Sequence, residues 1–341
     1  MNDIFDNDTW NEFVSGYTIT DCAIPKKNSF GFLLVEEKTE HDTLPMTRFI
    51  NMSLDRPINQ RFAVHVSTRF KFSSISASMA PPEYVAVDTI SQVYSANALK
   101  KGMELPIDEI LDMNTIDGKI GIITKVARAA GKIYALGDYR RIYRRSGPDT
   151  WIELGTEDKG VPLPADVASL PAWVTLHFKD MSAFSEDDMY VVGDRGDIWR
   201  FDGRQWHNCP IPTNSDLLTV CCASNGLVYI SEKNGSVWAG REDRWERVAE
   251  ADITPGYHPV DSFWFNDRLY LGGFGGLWTI DEQRKVVIPL GEVEADAPKA
   301  PTSGRLDISL DGKFLLTSGP YGACLHDGTG WRQLFSAFDF V

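Results

Sequence analysis

Asp188-Met189-Tyr190-Val191-Val192-Gly193-Asp194 is the stretch that decides the fold, because similar stretches recur along the chain. It is a short β-prone run with an aromatic residue near its start and a turn at its end. The others are Lys132-Ile133-Tyr134-Ala135-Leu136-Gly137-Asp138, Leu227-Val228-Tyr229-Ile230-Ser231-Glu232, Arg268-Leu269-Tyr270-Leu271-Gly272-Gly273 and Lys313-Phe314-Leu315-Leu316-Thr317-Ser318. Their aromatic residues lie 39 to 56 residues apart, which is typical of the blades of a β-propeller.

Further strand patterns surround each of these runs. An apolar run such as Leu217 to Cys222 precedes it, and a hairpin partner such as Asp197-Ile198-Trp199-Arg200 follows it. In four of the five units a last strand then opens with tryptophan, at Trp151, Trp206, Trp245 and Trp331. Each unit therefore predicts four antiparallel strands.

Two weaker units, centred on Phe32 and Tyr84, precede these five. The sequence therefore predicts an all-β fold, a seven-bladed β-propeller, with six or eight blades as alternatives. We expect a single domain, 1–341, with blades at about 14–58, 59–106, 119–155, 173–212, 216–250, 258–291 and 303–341. Insertions are expected at 103–119 and 155–173. The segment around Trp10 either completes the last blade or forms a turn of helix.

Two turns carry a resemblance to known propellers. Asp202-Gly203-Arg204-Gln205-Trp206 and Asp327-Gly328-Thr329-Gly330-Trp331 share an Asp-Gly-x-x-Trp pattern. The pattern resembles a reduced Asp-box of bacterial propellers, the group of BNR-repeat and photosystem-assembly-type propellers, and of the propeller immunity proteins of toxin systems. The full Asp-box is absent. The resemblance covers roughly residues 120 to 335 and implies an architecture rather than a function, because propellers host many functions.

The sequence offers no recognisable catalytic or metal-binding pattern. The six histidines are scattered without the spacing of a zinc site. The densest arginine group, Arg140, Arg141, Arg144 and Arg145, falls on one hairpin, which favours a solvated edge strand and leaves a contact patch for an acidic partner as the alternative. We therefore expect a protein that is not an enzyme, with no catalytic residues, no metal and no cofactor.

The net charge of the chain limits which classes of partner it can bind. A formal net charge of −14 disfavours nucleic acid and anionic membranes, which carry the same sign. We therefore expect a protein partner with a basic or neutral surface, although the acidity could serve solubility alone.

The acidic N-terminus lacks the pattern of a secretory signal, and five cysteines without regular spacing favour a reducing compartment. We expect a cytoplasmic location.

These features predict a protein-binding propeller. The first hypothesis is a cytoplasmic immunity protein, an antitoxin or inhibitor that binds and occludes a secreted bacterial toxin, with a nuclease among the candidate toxins. The alternatives are a protein-interaction scaffold or assembly factor, and a glycan-binding or glycan-cleaving propeller.

The turns between the second and third strands of all blades lie on one face of a propeller. We expect the partner to bind there, with aromatic anchors ringed by charges, although burial of the aromatics in the core is the alternative. The candidate binding residues are Asp138, Tyr139, Arg140, Asp194, Arg195, Lys233, Asn234, Phe274 and Tyr321.

Overall fold

The computed structural model describes residues 4–37, 45–68, 70, 74–107, 122–154, 160–162, 176–251 and 257–340. This part of the chain is built from 28 β-strands, four single-turn 3₁₀ helices and two short α-helices, α1 (Asn7–Phe13) and α2 (Ile58–Arg61). The strands follow one another as antiparallel meanders of four. The predicted all-β fold of four-stranded antiparallel sheets is confirmed.

The first two meanders divide the chain differently from the prediction. The first consists of β1 (Tyr17–Lys26), β2 (Ser29–Glu36), β3 (Thr47–Ser53) and β4 (Phe62–Ser67), and the second of β5 (Ser74–Met79), β6 (Pro82–Val87), β7 (Val93–Asn97) and β8 (Lys101–Met103). β4 pairs with β3, Phe49 opposite His65, so the first meander continues past residue 58. The sequence assigned residues 59 onward to the next blade because α2 lengthens the turn between β3 and β4.

The next two meanders follow the strongest repeats. The third consists of β9 (Ile123–Ala129), β10 (Lys132–Gly137), β11 (Ile142–Gly147) and β12 (Thr150–Glu153). The fourth consists of β13 (Phe178–Ser185), β14 (Asp188–Gly193), β15 (Ile198–Phe201) and β16 (Trp206–Asn208). Most of both expected insertions, 108–119, 155–159 and 163–173, lies outside the described residues.

The last three meanders complete the chain. The fifth consists of β17 (Leu217–Cys222), β18 (Val228–Glu232), β19 (Val237–Arg241) and β20 (Arg244–Ala251). The sixth consists of β21 (Pro259–Phe265), β22 (Arg268–Gly273), β23 (Gly276–Asp281) and β24 (Val286–Pro289), and the seventh of β25 (Arg305–Ile308), β26 (Leu315–Gly319), β27 (Gly322–His326) and β28 (Trp331–Ser336). β20 also pairs with β24 in parallel, so the fifth and sixth meanders share one eight-stranded sheet, whereas the other five are separate sheets.

A β-bulge recurs in the first strand of five meanders, where one residue is skipped in the pairing with the second strand. The skipped residues are Thr20, Thr124, Lys179, Leu218 and Val260. The residue that directly follows each bulge pairs with one residue of the second strand. Two positions before that residue, the second strands carry a tyrosine in four meanders, namely Tyr134, Tyr190, Tyr229 and Tyr270. The four tyrosines are therefore structurally equivalent. Phe32 lies one residue away from the corresponding place in β2, which Gly31 occupies.

The seven first strands form a closed circuit. Each contacts the first strand of the next meander, from β1 through β5, β9, β13, β17 and β21 to β25, and β25 contacts β1. Because each meander is antiparallel, all first strands begin on one side of the molecule, where the turns between second and third strands also lie. We call this side the upper face, and the opposite side, with the turns between first and second strands, the lower face.

The N-terminal segment packs across the junction of the seventh and first meanders. Trp10 lies in α1 and stacks on Phe340 with ring centroids 4.4 Å apart. Phe5 stacks on Phe62 of β4 at 4.8 Å and meets Phe335 of β28 edge-on at 5.1 Å. The segment around Trp10 is thus a helix rather than a strand of the last sheet, and it joins the two ends of the circuit through aromatic contacts.

Candidate functional site

The centre of the circuit holds a network of buried charges around a cavity of about 60 Å³. Lys125 contacts Asp180 at 2.9 Å and Asp261 at 3.0 Å. Arg305 contacts Asp261 at 2.7 Å and Asp21 at 3.1 Å, and Arg128 pairs with Asp307 at 2.9 Å. Three cations therefore contact four carboxylates, and all seven residues lie on first strands.

The bulges explain how these side chains reach the centre. Asp21, Lys125, Asp180 and Asp261 each directly follow a bulged residue, and a bulge turns the next side chain away from the regular alternation. Sequence reasoning missed this network. Its signal in the sequence was an ionisable residue at the equivalent place of four first strands.

The same carboxylates join neighbouring meanders. Asp21 accepts a hydrogen bond from the backbone N–H of Ile75 in β5 (2.9 Å), and Asp180 accepts one from Val220 in β17 (3.0 Å). Asp307 accepts one from Ile24 in β1 (2.7 Å), which links the last meander to the first. Since each acceptor is already occupied by a cation and by backbone N–H groups, we assign the network to holding the circuit together.

The neighbours of each carboxylate set its pKa. Burial raises the pKa of Asp21 to about 6, against the opposing effect of Arg305. Burial also favours a raised value at Asp261, but the close contacts with Arg305 and Lys125 hold its pKa down at about 2. Burial raises the pKa of Asp180 and of Asp307, although Lys125 and Arg128 lower them in part. Asp21 therefore holds a proton near neutral pH far more readily than Asp261 does.

A second buried ionic group lies between the second and third meanders. Arg145 forms a two-point contact with Glu104, both atoms at 2.7 Å, and also contacts Glu83 at 3.2 Å. All three side chains are buried. Arg140 pairs with Asp197 and Arg141 with Glu153, at 2.7 and 3.1 Å. The arginine group is thus not a solvated edge strand, because these three arginines hold ion pairs.

All nine residues predicted to bind a partner lie on the upper face, in turns between second and third strands. The turns belong to the third, fourth, fifth, sixth and seventh meanders. Most of the ionic side chains among them already have partners within the chain. Asp138 is buried and contacts His177 at 2.5 Å, and Tyr139 is buried as well.

The other polar members are similarly engaged. Asp194 contacts Lys179 at 3.3 Å, and Lys233 contacts Asp216 at 3.2 Å. Asn234 accepts a hydrogen bond from the backbone N–H of Ser236 at 2.8 Å. Arg195 is exposed. In this half of the upper face, the third to fifth meanders, opposite charges largely satisfy one another.

The other half of the upper face is apolar. Phe274 and Tyr321 are 70% and 40% exposed. Phe338, which the sequence did not single out, is 65% exposed, and its ring centroid lies 6.2 Å from that of Tyr321. Three exposed aromatic side chains therefore occupy neighbouring places at the sixth and seventh meanders.

Phe274 and Tyr321 border a cleft of about 930 Å³ between the sixth, seventh and first meanders, which we call the upper cleft. Its size falls within the range of ligand-binding clefts. In the part of its lining that the structure describes, Arg305 is the one charged residue, and it also lines the central cavity. The other lining side chains are apolar or uncharged, among them Thr18, Ile19, Val35, Phe70, Val260, Ser303 and Pro320.

Two further properties bear on function. Within the described residues, no three or more His, Cys, Asp or Glu side chains are grouped so that they could hold a metal ion. In the same part of the chain, no helix is long and apolar enough to cross a membrane.

The Asp-Gly turns lie on the lower face, where Asp202 accepts hydrogen bonds from the backbone N–H groups of Arg204 and Gln205, both at 2.8 Å. These turns are local structural devices.

Comparison with solved structures identifies the architecture. The crystal structure of the WD40 β-propeller domain of Doa1 superposes with a TM-score of 0.56 over 93% of this chain and 92% of that chain, at 8% sequence identity. The fold is a β-propeller. At this identity the likeness concerns the fold alone.

Comparison with curated proteins gives a relative by sequence. The chain is 30% identical over 173 residues to the protein named Immune protein Tsi7 of Pseudomonas aeruginosa. The match takes in 51% of this chain and 53% of that protein, so the chain spans about half the length of the curated relative it matches. No protein-family profile matches the sequence.

Proposed function

We propose that this propeller is a non-enzymatic immunity protein, which binds a bacterial toxin and blocks the toxin's access to its substrate. The observation that carries the proposal is the 30% identity to a protein named as an immune protein. The propeller fold supports it, because a ring of short turns presents a broad surface for protein recognition.

We further propose seven blades, one for each four-stranded meander. The shared sheet of the fifth and sixth meanders is consistent with this number, because only Glu250 and Ala251 of β20 pair with β24. Each of these two meanders keeps its own antiparallel order and its own first strand in the circuit.

The upper face is the proposed binding surface. It carries all nine candidate residues, and its half at the sixth and seventh meanders offers exposed aromatic side chains beside a concave cleft. Aromatic residues in such settings often contribute most of the binding free energy of an interface. The net charge of −14 supports a toxin with a basic surface, such as a nuclease, because opposite net charges accelerate association. We propose that the protein acts in the cytoplasm, without a cofactor.

The test is coexpression with the product of the gene adjacent to the one that encodes this chain, taken as the candidate toxin. The toxin alone should stop growth of the host, and the toxin with this chain should allow it. The two proteins should also co-purify as one complex with a fixed ratio. The matched control is the same chain with a toxin from an unrelated system, which should not be neutralised.

Other outcomes would favour other functions. Failure to neutralise or bind the adjacent toxin would refute the immunity role. Co-purification of several subunits of one cellular complex would favour an assembly factor, and specific signals on a glycan array would favour a glycan-binding propeller.

A further inference from the structure

The upper cleft differs from the charged half of the same face in a way that indicates how a partner is bound. The ionic turns at the third to fifth meanders are occupied by internal pairs, Arg140 with Asp197 and Lys233 with Asp216 among them. A partner's charges would compete with these existing contacts. The cleft and its rim, in contrast, expose apolar side chains to solvent.

The charge of the cleft disfavours an ionic ligand. Among the described residues that line the cleft, Arg305 is the one that carries a charge, and both Asp21 and Asp261 hold that guanidinium, at 3.1 and 2.7 Å. Burial opposes the charged form of Arg305, but the two carboxylates keep its pKa raised. A phosphate or carboxylate entering the cleft would therefore meet a cation that is already neutralised. The electrostatic complement of this lining is an uncharged group.

The rim indicates a macromolecular occupant. Phe274 is 70% exposed and Tyr321 40% exposed at the cleft, and Phe338 extends the aromatic surface beyond it. A small ligand held in the cleft would leave Phe338 in water. A convex protein segment could fill the cleft and cover the three aromatic side chains together, which is the usual role of such an exposed apolar patch.

We propose that the upper cleft receives an apolar protrusion of the toxin, a loop or helix end with uncharged aliphatic or aromatic side chains. This inference rests on the proposed function and deepens it. Affinity would then come from burial of apolar surface at the sixth, seventh and first meanders. The excess negative charge of the chain would act on the rate of encounter and contribute little to the lifetime of the complex.

The test uses an inactive form of the toxin encoded by the adjacent gene and measures its Kd for the full chain by calorimetry. Thr18→Trp fills the cleft from a half-exposed lining position, and the double variant Phe274→Ala/Tyr321→Ala removes the rim. Each should weaken binding roughly 100-fold, as loss of interface anchors does. The control is Leu99→Ala/Leu227→Ala, which removes exposed apolar side chains from the lower face and should leave Kd unchanged. Thermal melting confirms that each variant is folded.

The dependence of the association and dissociation rates on salt separates the apolar contribution to binding from the ionic one. Between roughly 0.05 and 0.5 M salt the dissociation rate of the wild-type complex should change little, while the association rate falls. If the wild type binds but the cleft and rim variants bind equally well, the cleft inference is wrong and the immunity role stands. If the wild type does not bind the toxin at all, the proposed function itself fails. A dimer of the free chain that Thr18→Trp dissociates would also overturn the inference, because a second copy would then occupy the cleft.

Discussion

Four aspartates on first strands show how neighbours change one side chain's chemistry. Asp261 lies between Lys125 and Arg305, whereas Asp21 shares Arg305 with it and contacts no second cation among the described residues. Both are buried, and their pKa values of about 2 and about 6 lie on opposite sides of the ordinary value of 3.8. The difference follows from three cations serving four carboxylates.

Asp21→Asn should therefore change how stability depends on pH. The folded protein holds a proton on Asp21 more tightly than the unfolded chain does, because its pKa rises from 3.8 to about 6. This group's contribution to stability is complete below pH 3.8 and is lost as pH rises through 6. The free energy of unfolding of the wild type, minus that of the variant, should fall by on the order of 3 kcal/mol across this range. Urea unfolding at several pH values measures it, and a constant difference would contradict the prediction.

The Arg145 group predicts a different response, because one buried cation is in close contact with both carboxylates of the group. Arg145→Met would leave Glu83 and Glu104 buried without their cation. Removal of one member of a buried ionic group costs about 3 to 5 kcal/mol. Urea unfolding at neutral pH should show this loss. The control is Arg284→Met, which removes an arginine whose two ion pairs are exposed and should barely move the unfolding midpoint; equal losses would show that the buried group contributes nothing special.

At the scale of strands, the sequence predicted what local patterns encode. The tyrosine-bearing second strands and their hairpin partners were predicted because β-branched and aromatic residues alternate with turn residues there. The bulges were not, because a bulge depends on which residues of two strands pair, and one strand's sequence does not contain that register. The boundary of the first blade was misplaced for a related reason. Helix α2 separates β3 from β4 in the sequence, and only the pairing of these two strands shows that they belong to one sheet.

The candidate site also has features that local sequence predicts and features that depend on contacts between meanders. The turns of the nine residues were located by hairpin spacing, and the exposure of Phe274 and Tyr321 agrees with their expected place on the surface. The burial of Asp138 and Tyr139 could not be predicted, because it depends on the neighbouring meander, whose His177 contacts Asp138. The upper cleft depends on three meanders at once, and Phe70 and Phe274 share it across two hundred residues of sequence.

The packing of helix α1 predicts that the Trp10 side chain stabilises the junction between the N-terminal and C-terminal segments. Trp10 is buried and touches Phe335 and Phe340. Trp10→Ala should lower the free energy of unfolding by about 3 kcal/mol, as truncation of a buried aromatic does. Phe338→Ala, also in the C-terminal segment but with its side chain exposed, should change it by less than about 0.5 kcal/mol. Chemical denaturation tests both, and equal effects would mean that α1 does not stabilise the junction.

At the scale of the molecule, the last meander contributes to two interfaces. Leu316 and Leu325 pack with Ile24 and Leu34 of the first meander. Leu306 and Leu315 pack with Phe265 and Leu277 of the sixth. Asp307 adds a hydrogen bond to Ile24 and an ion pair with Arg128 of the third meander. The seventh meander is therefore held on both sides, and removing it would expose two apolar surfaces.

A circularly permuted chain tests this closure most directly. The N-terminal and C-terminal segments already touch through Trp10 and Phe340, so the permutant joins these two segments through a flexible linker. New ends placed in the exposed turn at Asp243, on the lower face, would break no first strand of the circuit. If the circuit is closed by packing alone, this permutant should melt in one cooperative transition within a few degrees of the wild type. Removal of residues 303–341 should instead yield an aggregating chain, because both apolar surfaces are then exposed to water. A truncated chain that stays soluble and melts cooperatively would show that the first six meanders do not need the seventh, and the closed circuit would not be what stabilises this propeller.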